Sequence, residues 1–312
     1  MVRGNIGAMD WGIHLPHLGR SVSRDGLADF ARRAETAGFH SAWVSDHIAW
    51  PAAIESSYPY SDDGAFPAPA DTAWLDPLGT LFFVAACTER MRLGTTVLIL
   101  GYRPPVVSAK AVASLDVLSA GRVILGVGVG WMKEEFDVLG MPFDHRGARA
   151  DEQLEVFQAL FTQDRPSYAG QYYAFPEVGF SPKPVQPHLP VWVGGDTEPA
   201  FRRAARYGDA FHAAFQPVDE VAAGWRRVLE LAGDAGRADG ALRLSVRLYL
   251  DPDGVMPAAK SVAGSREQMI DTVGGWGAIG VDHILLDPVA RGGAEGRLSA
   301  AEAFMGDVAS GV

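Results

Sequence analysis

Short apolar runs alternate with longer amphipathic stretches along nearly the whole chain, which is the pattern of parallel βα units. Most of the runs are rich in Val, Ile and Leu and do not alternate apolar with polar residues, as is typical of strands covered on both faces. The predicted strands span residues 11–15, 41–45, 92–98, 122–127, 190–193, 210–214, 242–250 and 281–286. The predicted helices span residues 25–37, 76–86, 105–118, 149–161, 198–207, 219–231, 265–274 and 299–308.

The starts of these helices carry consistent signals. Asp76 stands before Pro77, an N-cap followed by proline in the first turn, and Pro104 and Pro105 precede the third helix. About eight strands alternating with about eight helices predict an α/β fold, a (β/α)8 TIM barrel, which usually takes roughly 200 to 400 residues. The chain has 312 residues. We expect a single domain over residues 1–312, because no internal repeat, low-complexity tract or linker divides it.

Two segments interrupt the alternation, and both are rich in Pro, Tyr and Phe. Residues 49–74 follow the second predicted strand, and residues 165–188 precede the fifth. Active sites of such barrels form at the carboxyl ends of the strands, so we predict that the first insertion is a lid over the substrate. The second insertion either folds over the same face or is a passive connection.

Charge and cysteine content narrow the function to small-molecule chemistry. The formal net charge of -11 disfavours a nucleic-acid surface, which needs clustered Lys and Arg. The single cysteine, Cys87, can form neither an internal disulfide nor a thiolate cluster, so we expect no metal. No apolar run approaches the roughly 20 residues needed to span a bilayer, and residues 1–10 lack the apolar core of a signal peptide. We therefore expect a cytoplasmic protein without a membrane partner, and we leave a homodimer open.

An acid and an imidazole directly follow the second predicted strand. In Trp43-Val44-Ser45-Asp46-His47 the apolar run ends at the face where a barrel builds its site. Histidine titrates near neutrality and Asp46 is placed to hold its tautomer, so the pair suits proton delivery or hydrogen bonding to a cofactor ring. The alternative is that Asp46 caps a turn while His47 packs under the next loop. His14, near the end of the first strand, is a reserve candidate.

Glycines cluster where the third and fourth predicted strands end. Gly94 precedes Thr95 and Thr96, and the fourth strand runs into Gly126-Val127-Gly128-Val129-Gly130-Trp131. Glycine lets a flat ring approach the main chain, and Trp131 offers a stacking face. The spacing is not G-x-G-x-x-G, and no acidic residue ends a following strand about 20 residues on, which disfavours a dinucleotide-binding fold. A tight strand-to-helix turn would carry the same glycines.

A predicted anion site follows the fifth strand. The segment Val191-Trp192-Val193-Gly194-Gly195-Asp196-Thr197 passes from a strand through two glycines to an N-cap, with Pro199 in the first turn. Free N–H groups and the helix dipole favour a phosphate there, although a plain βα turn would look similar. No H-E-x-x-H, G-x-S-x-G or P-loop pattern occurs in the sequence. Zinc peptidase, serine hydrolase and nucleoside triphosphatase functions therefore have no local support.

Taken together and in this order, these segments resemble the luciferase-like monooxygenase superfamily, in particular its branch that depends on the deazaflavin coenzyme F420. The likeness runs through residues 45–47, 92–97, 118–136 and 190–195. It covers nearly the whole predicted barrel, and its most specific part extends from Leu118 to Phe136.

The resemblance implies that Asp46 and His47 lie beside the cofactor ring and are the catalytic candidates. It also implies a bulge behind the ring, with a non-prolyl cis peptide, at Thr96 and Val97. The other implied cofactor contacts are Gly128, Val129, Gly130, Trp131, Gly194, Gly195 and Thr197. One position departs from the family. Some deazaflavin-dependent sugar-phosphate dehydrogenases have a catalytic Glu where Trp131 stands, which argues against that reaction.

The reaction that the resemblance implies is hydride transfer between coenzyme F420 and a small organic substrate, with the protein supplying position and electrostatics. With FMN in the same barrel, the protein would instead be a two-component monooxygenase. A non-catalytic flavin-binding barrel is the third alternative, since a fold does not prove an activity. The acidic tail of F420 requires cations at the cavity mouth, and the nearest candidates in the chain are Arg103, Lys133 and Arg146.

Overall fold

The strands lie parallel to one another and alternate with helices. The computed structural model describes residues 9–19, 22–61, 63–66, 68–69 and 71–311. Within these ranges the strands are β1 (Asp10–His14), β2 (Ser41–Val44), β3 (Arg92–Thr95), β4 (Leu98–Ile99), β5 (Val123–Gly128), β6 (Tyr168–Ala169), β7 (Ala174–Phe175), β8 (Val191–Gly194), β9 (Ala210–Ala214), β10 (Arg243–Asp251), β11 (Ser261–Ala263) and β12 (His283–Pro288). The α-helices are α1 (Arg24–Ala37), α2 (Pro77–Cys87), α3 (Pro105–Leu118), α4 (Lys133–Val138), α5 (Arg146–Thr162), α6 (Glu198–Tyr207), α7 (Val218–Asp234), α8 (Arg266–Ala278) and α9 (Gly293–Asp307).

A closed ring of parallel strands forms the centre of the fold. From β1 the ring passes through β2, β3, β5, β8, β9, β10 and β12 and returns to β1. β4 pairs with β5 beyond a break in the third strand, and β11 pairs with β10. The predicted (β/α)8 barrel is confirmed. That the whole chain forms one domain stays a prediction.

The helices cover the barrel with apolar faces, as α1 illustrates. Its N-cap, Ser23, accepts a hydrogen bond from the Gly26 backbone N–H at 3.1 Å, and the helix ends at Gly38 in the left-handed conformation at φ 97°. The buried residues of α1 are Leu27, Ala28, Phe30, Ala31 and Ala34. The apolar stripe that predicted this helix therefore packs on the barrel.

Inside the barrel, the Trp43 ring occupies space that neighbouring glycines leave open. A Cβ at Gly94 would lie 2.2 Å from this ring, and a Cβ at Gly12 would lie 2.7 Å from its Nε1. Trp192 packs beside Trp43, with ring centroids 4.9 Å apart. Glycine at these strand positions thus lets a large indole fill the barrel interior.

Some predicted boundaries differ from the structure. The predicted strand 92–98 is interrupted, so that β3 and β4 are separate strands. The helix predicted at 149–161 begins earlier, at Arg146, and the helix predicted at 299–308 begins at Gly293. Two glycines in the first turn of that last helix hid its start, because glycine is a poor helix former. Helix α4 was not predicted.

The two insertions behave differently. Described residues of segment 49–74 line the mouth of the barrel, and the chain just after them is anchored where Leu75 N–H donates to His17 O at 3.0 Å. Residues 165–188 contain the short hairpin of β6 and β7 and pack on α3 and α5, where Lys183 Nζ donates to Leu160 O at 2.6 Å. None of the described residues 165–188 lines the cavity of the barrel. The alternative of a passive connection fits the second insertion.

Two expectations from the sequence concern membranes and secretion. In the described part of the chain, no helix is both long and apolar enough to cross a bilayer. Residues 1–8, which carry most of the argument against a signal peptide, lie outside the described residues.

Candidate active site

A cavity of about 750 Å³ opens at the carboxyl ends of the barrel strands. This is the end at which (β/α)8 barrels place their chemistry. Every residue predicted for the site lines this cavity: Asp46, His47, Thr96, Val97, Gly128, Val129, Gly130, Trp131, Gly194, Gly195 and Thr197. The structure thus brings together residues from β2 through β8 and the loops that follow them. Their individual roles toward a ligand stay predictions.

His47 is held by a buried carboxylate. Its Nδ1 lies 2.6 Å from Oε2 of Glu135, and the same oxygen accepts from the Tyr102 hydroxyl at 2.8 Å. The other carboxylate oxygen, Oε1, accepts from the Ile48 backbone N–H at 2.6 Å. Burial opposes ionisation of Glu135, but these hydrogen bonds hold its pKa below the ordinary value. A carboxylate can only accept, so the His47 proton lies on Nδ1 and Nε2 is left for the cavity.

Asp46 does not hold the His47 tautomer, which corrects the sequence-based expectation. Its carboxylate accepts two hydrogen bonds from Arg103, at 2.7 and 3.0 Å, and one from the Ile99 backbone N–H at 2.9 Å. Burial raises the pKa of Asp46, and the Arg103 guanidinium opposes that rise. With both oxygens occupied, Asp46 anchors the segment after the third strand. Glu135 has the role that we expected of Asp46.

The break in the third strand lies directly under the cavity. The peptide between Thr96 and Val97 is cis, as the resemblance implied. A Cβ at Gly128 would lie 2.4 Å from Val97 Cγ2, and one at Gly194 would lie 2.9 Å from Val97 Cγ1. These glycines therefore accommodate the Val97 side chain. We had attributed them to close approach of a ligand, and this contact is a sufficient structural reason for both.

The loop after β8 has the features of an anion site. Gly195 has φ 121°, a region that side chains disfavour, and Thr197 is the N-cap of α6. The Thr197 side chain caps no N–H of the helix. Pro199 lies in the first turn, as predicted, and lines the cavity with Thr197. The positive end of the helix dipole therefore faces the cavity.

The cations at the cavity differ in part from those predicted. Arg146 lines it and donates to Gly130 O at 3.0 Å. Arg103 pairs with Asp46, and Lys133 pairs with Asp137 at 2.5 Å on the exposed face of α4. The cavity instead gains Arg203, Arg247 and Arg297.

A polar cluster completes the far side of the cavity. Arg247 pairs with Asp287 and donates to the Ser45 hydroxyl at 3.3 Å. His14 Nε2 lies 2.8 Å from the same hydroxyl, and burial, with Arg247 nearby, lowers the pKa of His14 well below its ordinary value. His14 is therefore neutral in the folded protein at physiological pH.

Aromatic rings of the first insertion form one wall. Trp74 meets His47 edge to face with centroids 4.8 Å apart, and Phe66 stacks on Trp131 at 5.7 Å. Tyr58 lies 5.2 Å from Trp131. His47 is only 9% exposed. The insertion thus encloses the imidazole in an apolar surrounding, and its movement as a lid stays a prediction.

Comparison with known proteins identifies the family of this barrel. A family model described as luciferase-like monooxygenase matches residues 10–283. The chain belongs to the luciferase-like monooxygenase family. An uncharacterised protein of Mycobacterium tuberculosis is 37% identical over 205 residues, which are 65% of this chain and 71% of that protein. An F420-dependent glucose-6-phosphate dehydrogenase of Amycolatopsis mediterranei is 35% identical over 189 residues, which are 59% of this chain and 52% of that enzyme.

Solved structures share the luciferase-like fold over nearly the full chain. An F420-dependent secondary alcohol dehydrogenase, in complex with an F420–acetone adduct, has a TM-score of 0.77 at 18% identity and covers 97% of this chain and 98% of its own. The oxygenating constituent of 3,6-diketocamphane monooxygenase from Pseudomonas putida, in complex with FMN, has a TM-score of 0.74 at 14% identity and covers 98% of this chain and 99% of its own. At these identities the likeness shows the fold.

Several residues of this luciferase-like site were missed by sequence reasoning. Glu135 lies within the segment 118–136 that carries the resemblance, but nothing local shows that it reaches back to His47 across 88 positions. Arg247 could have been found from the sequence. It is a cation inside the apolar strand predicted at 242–250, and a buried cation is rarely without a partner. Arg297 lies on the last helix, where its sequence context has no distinguishing feature. Among the described residues, no cluster of His, Cys, Asp and Glu is arranged to hold a metal.

Proposed function

We propose that this protein is a coenzyme F420-dependent oxidoreductase that transfers a hydride to or from a small organic substrate. The observation that carries the proposal is the orientation of His47. Buried Glu135 bonds its Nδ1, so Nε2 is free to bond a ligand in the cavity. The relative from Amycolatopsis mediterranei, named as F420-dependent, supports the choice of coenzyme.

The residues around the cavity fit the parts of such a coenzyme. The amino end of α6, with Gly195 and Thr197, suits a phosphate. Arg146 and Arg297 suit an acidic tail, because neither has an ion-pair partner within the described residues and Arg297 Nε is buried without a hydrogen bond. Val97 and the glycine beside it at 128 form an apolar floor for a flat ring. On a chain of net charge -11, such unpaired cations are the local feature that attracts a polyanion.

The protein's own contribution is to place the substrate and to move a proton. When bound, coenzyme F420 supplies a hydride carrier that reacts poorly with oxygen. His47 Nε2 accepts the proton of a substrate hydroxyl, or returns it to a carbonyl oxygen in the reverse direction. The Glu135 carboxylate stabilises the imidazolium that this transfer forms.

The aromatic wall bears on the choice of substrate. Trp131 stands where some sugar-phosphate dehydrogenases of this kind have a catalytic Glu, and it stacks against Phe66. A wall of this composition favours a substrate with an apolar body over a sugar phosphate. We therefore propose a small alcohol or carbonyl compound with its oxygen directed to His47.

Exchange of His47 tests the proposal. With reduced or oxidised F420 and a panel of small alcohols and carbonyl compounds, His47→Ala should lower turnover at least about tenfold, which is about 1.4 kcal/mol of barrier. Its affinity for F420, measured by tryptophan quenching, should stay within about threefold of wild type. The matched control is His188→Ala, because that side chain is 73% exposed and lies outside the cavity.

Two outcomes would contradict the proposal. Equal turnover of His47→Ala and wild type would remove the proton-transfer role. Consumption of oxygen with reduced FMN, together with no reaction of F420, would instead establish the monooxygenase alternative.

A further inference from the structure

A second set of polar side chains lies buried inside the barrel and takes no part in the proposed proton transfer. We call it the buried chain, and its members are Trp43, Ser41, His283, Ser245, His212 and Thr96. Each is at most 1% exposed except Thr96, which is 6% exposed and lines the cavity. Polar groups buried this deeply are tolerated when every donor and acceptor is paired.

Trp43 determines the direction of the first links. An indole N–H can only donate, so Ser41 Oγ accepts from Trp43 Nε1 at 2.8 Å. In the described residues, the other partner of Ser41 Oγ is His283 Nε2 at 3.0 Å. The serine must use its own proton there, because a buried hydroxyl with an unpaired proton is destabilising. His283 Nε2 therefore accepts.

The two histidines each carry a single ring proton, and its position follows from the neighbouring link. Burial lowers the pKa of His283 well below its ordinary value, so the ring has one proton, which lies on Nδ1 and is donated to Ser245 Oγ at 2.8 Å. Ser245 then donates to His212 Nδ1 at 2.8 Å. Burial lowers the pKa of His212 to about 3, so its single proton lies on Nε2. His212 Nε2–H donates to Thr96 Oγ1 at 2.9 Å.

We propose that Trp43 sets the direction of the buried chain and thereby makes Thr96 a specificity-determining residue that offers the cavity a hydrogen-bond donor. The acceptor capacity of the Thr96 hydroxyl toward the barrel is used by His212, and its proton has no acceptor among the described residues. The hydroxyl is therefore free to donate its proton to a ligand acceptor, such as a carbonyl oxygen or an unprotonated ring nitrogen. The direction is a property of the apoprotein, and only the assignment of the acceptor to a flavin-type ring rests on the proposed function.

Close packing holds the first link in place. A Cβ at Gly12 would lie 2.7 Å from Trp43 Nε1 and 2.8 Å from His283 Nε2. The absence of a side chain at this position of β1 is what lets the indole and the imidazole meet Ser41 from the same side. Trp43 is thus a positioning residue that acts on the cavity through the buried chain.

The tautomers of the two histidines test the direction without any ligand. Nitrogen NMR of the imidazole rings in the apoprotein near neutral pH distinguishes a protonated from an unprotonated ring nitrogen. We expect His283 protonated on Nδ1 and His212 protonated on Nε2. The opposite tautomer in either ring would overturn the inference.

Substitution of Trp43 tests whether it is the anchor. Trp43→Phe removes the donor, so both tautomers of His283 and His212 should become populated. Trp192→Phe is the matched control, because the Trp192 ring contacts the same two imidazoles at 4.8 and 5.9 Å but is not a link. Single tautomers in Trp43→Phe, or the same mixture in both variants, would refute the role of Trp43. If Trp43→Phe does not fold, Ser41→Ala breaks the same link with the loss of one oxygen and should give the same mixture.

The donor at Thr96 is tested with FMN and F420 as probes. Thr96→Val removes the hydroxyl at nearly constant volume and should weaken the probe that wild type binds by about threefold to tenfold. Thr96→Ser keeps the hydroxyl and should bind at least about threefold more tightly than Thr96→Val. Equal affinity of the two variants would show that the ligand uses no donor at this position. If wild type binds neither probe, the proposed function is wrong, whereas the NMR result still decides the direction of the buried chain.

Discussion

Four histidines of the described chain make the stability of this protein depend on pH. His14, His17, His212 and His283 are each at most 6% exposed. Burial lowers the pKa of His17 to about 4 and that of His212 to about 3, and it lowers those of His14 and His283 well below the ordinary value. In the unfolded chain each returns to a pKa of about 6.5. The unfolded state therefore binds more protons below that pH, and the free energy of unfolding falls as the pH falls.

The magnitude follows from the number of protons taken up on unfolding. Between about pH 7.5 and about pH 5.5, one such histidine lowers the free energy of unfolding by about 1.4 kcal/mol, because the unfolded ring becomes charged while the folded ring stays neutral. The four together lower it by about 5.5 kcal/mol. That loss is comparable with the total stability of many domains, about 5 to 15 kcal/mol. The loss continues at lower pH until the folded rings themselves take up protons.

Urea unfolding followed by tryptophan fluorescence at the two pH values measures this loss. His17→Gln is the matched variant. His17 Nδ1 lies 3.1 Å from Leu15 O, and Nε2 lies 3.1 Å from the Ser45 backbone N and 3.0 Å from its O, contacts that the donor and acceptor of an amide side chain can also make. The variant should lose about 1.4 kcal/mol less than wild type over the same interval. A wild-type loss below about 1 kcal/mol, or an identical loss in His17→Gln, would refute the reasoning.

Three further predictions concern the cavity. Glu135→Gln should lower turnover about tenfold to a hundredfold in initial-rate assays, because a neutral amide does not stabilise the His47 imidazolium, and unchanged rates would contradict the role of the carboxylate. Gly128→Ala should cost about 1 to 3 kcal/mol of unfolding free energy, since its Cβ would lie 2.4 Å from a neighbouring methyl group, whereas Gly306→Ala, with no atom of the described residues within 4 Å of its Cβ, should cost none. Arg297→Ala should weaken F420 binding about tenfold at low salt and leave FMN binding nearly unchanged in parallel titrations, and an equal effect on both would contradict its role at the acidic tail.

The barrel was predictable because each βα unit must bury both faces of its strand. Strands of this kind are short runs of apolar residues, which can be recognised locally in the sequence. His47 and Gly194 could be predicted to lie at the same end of the barrel, because the carboxyl ends of parallel strands lie together. The break at Thr96 was implied by resemblance and has no local pattern. The contact between His47 and Glu135 joins the loop after β2 to helix α4, so its existence depends on how the folded strands are spaced.

The exchange of roles between Asp46 and Glu135 shows the limit of local reasoning. Asp46 is adjacent to His47 in the chain, which made it the natural partner for the imidazole. In the structure its carboxylate turns to Arg103, because a guanidinium offers a bidentate match that a single ring nitrogen does not. Adjacency in sequence at a strand end therefore predicts a shared site but not which side chains pair.

Titration of the purified apoprotein with F420 and with FMN, followed by tryptophan quenching, tests the central claim most directly. Trp131 and Trp74 line the cavity and report its occupation. We expect tighter binding of F420 than of FMN, with hydride exchange between F420 and a small alcohol or carbonyl compound and no oxygen consumption. Tighter binding of FMN, with oxygen consumed when reduced FMN is supplied, would contradict it.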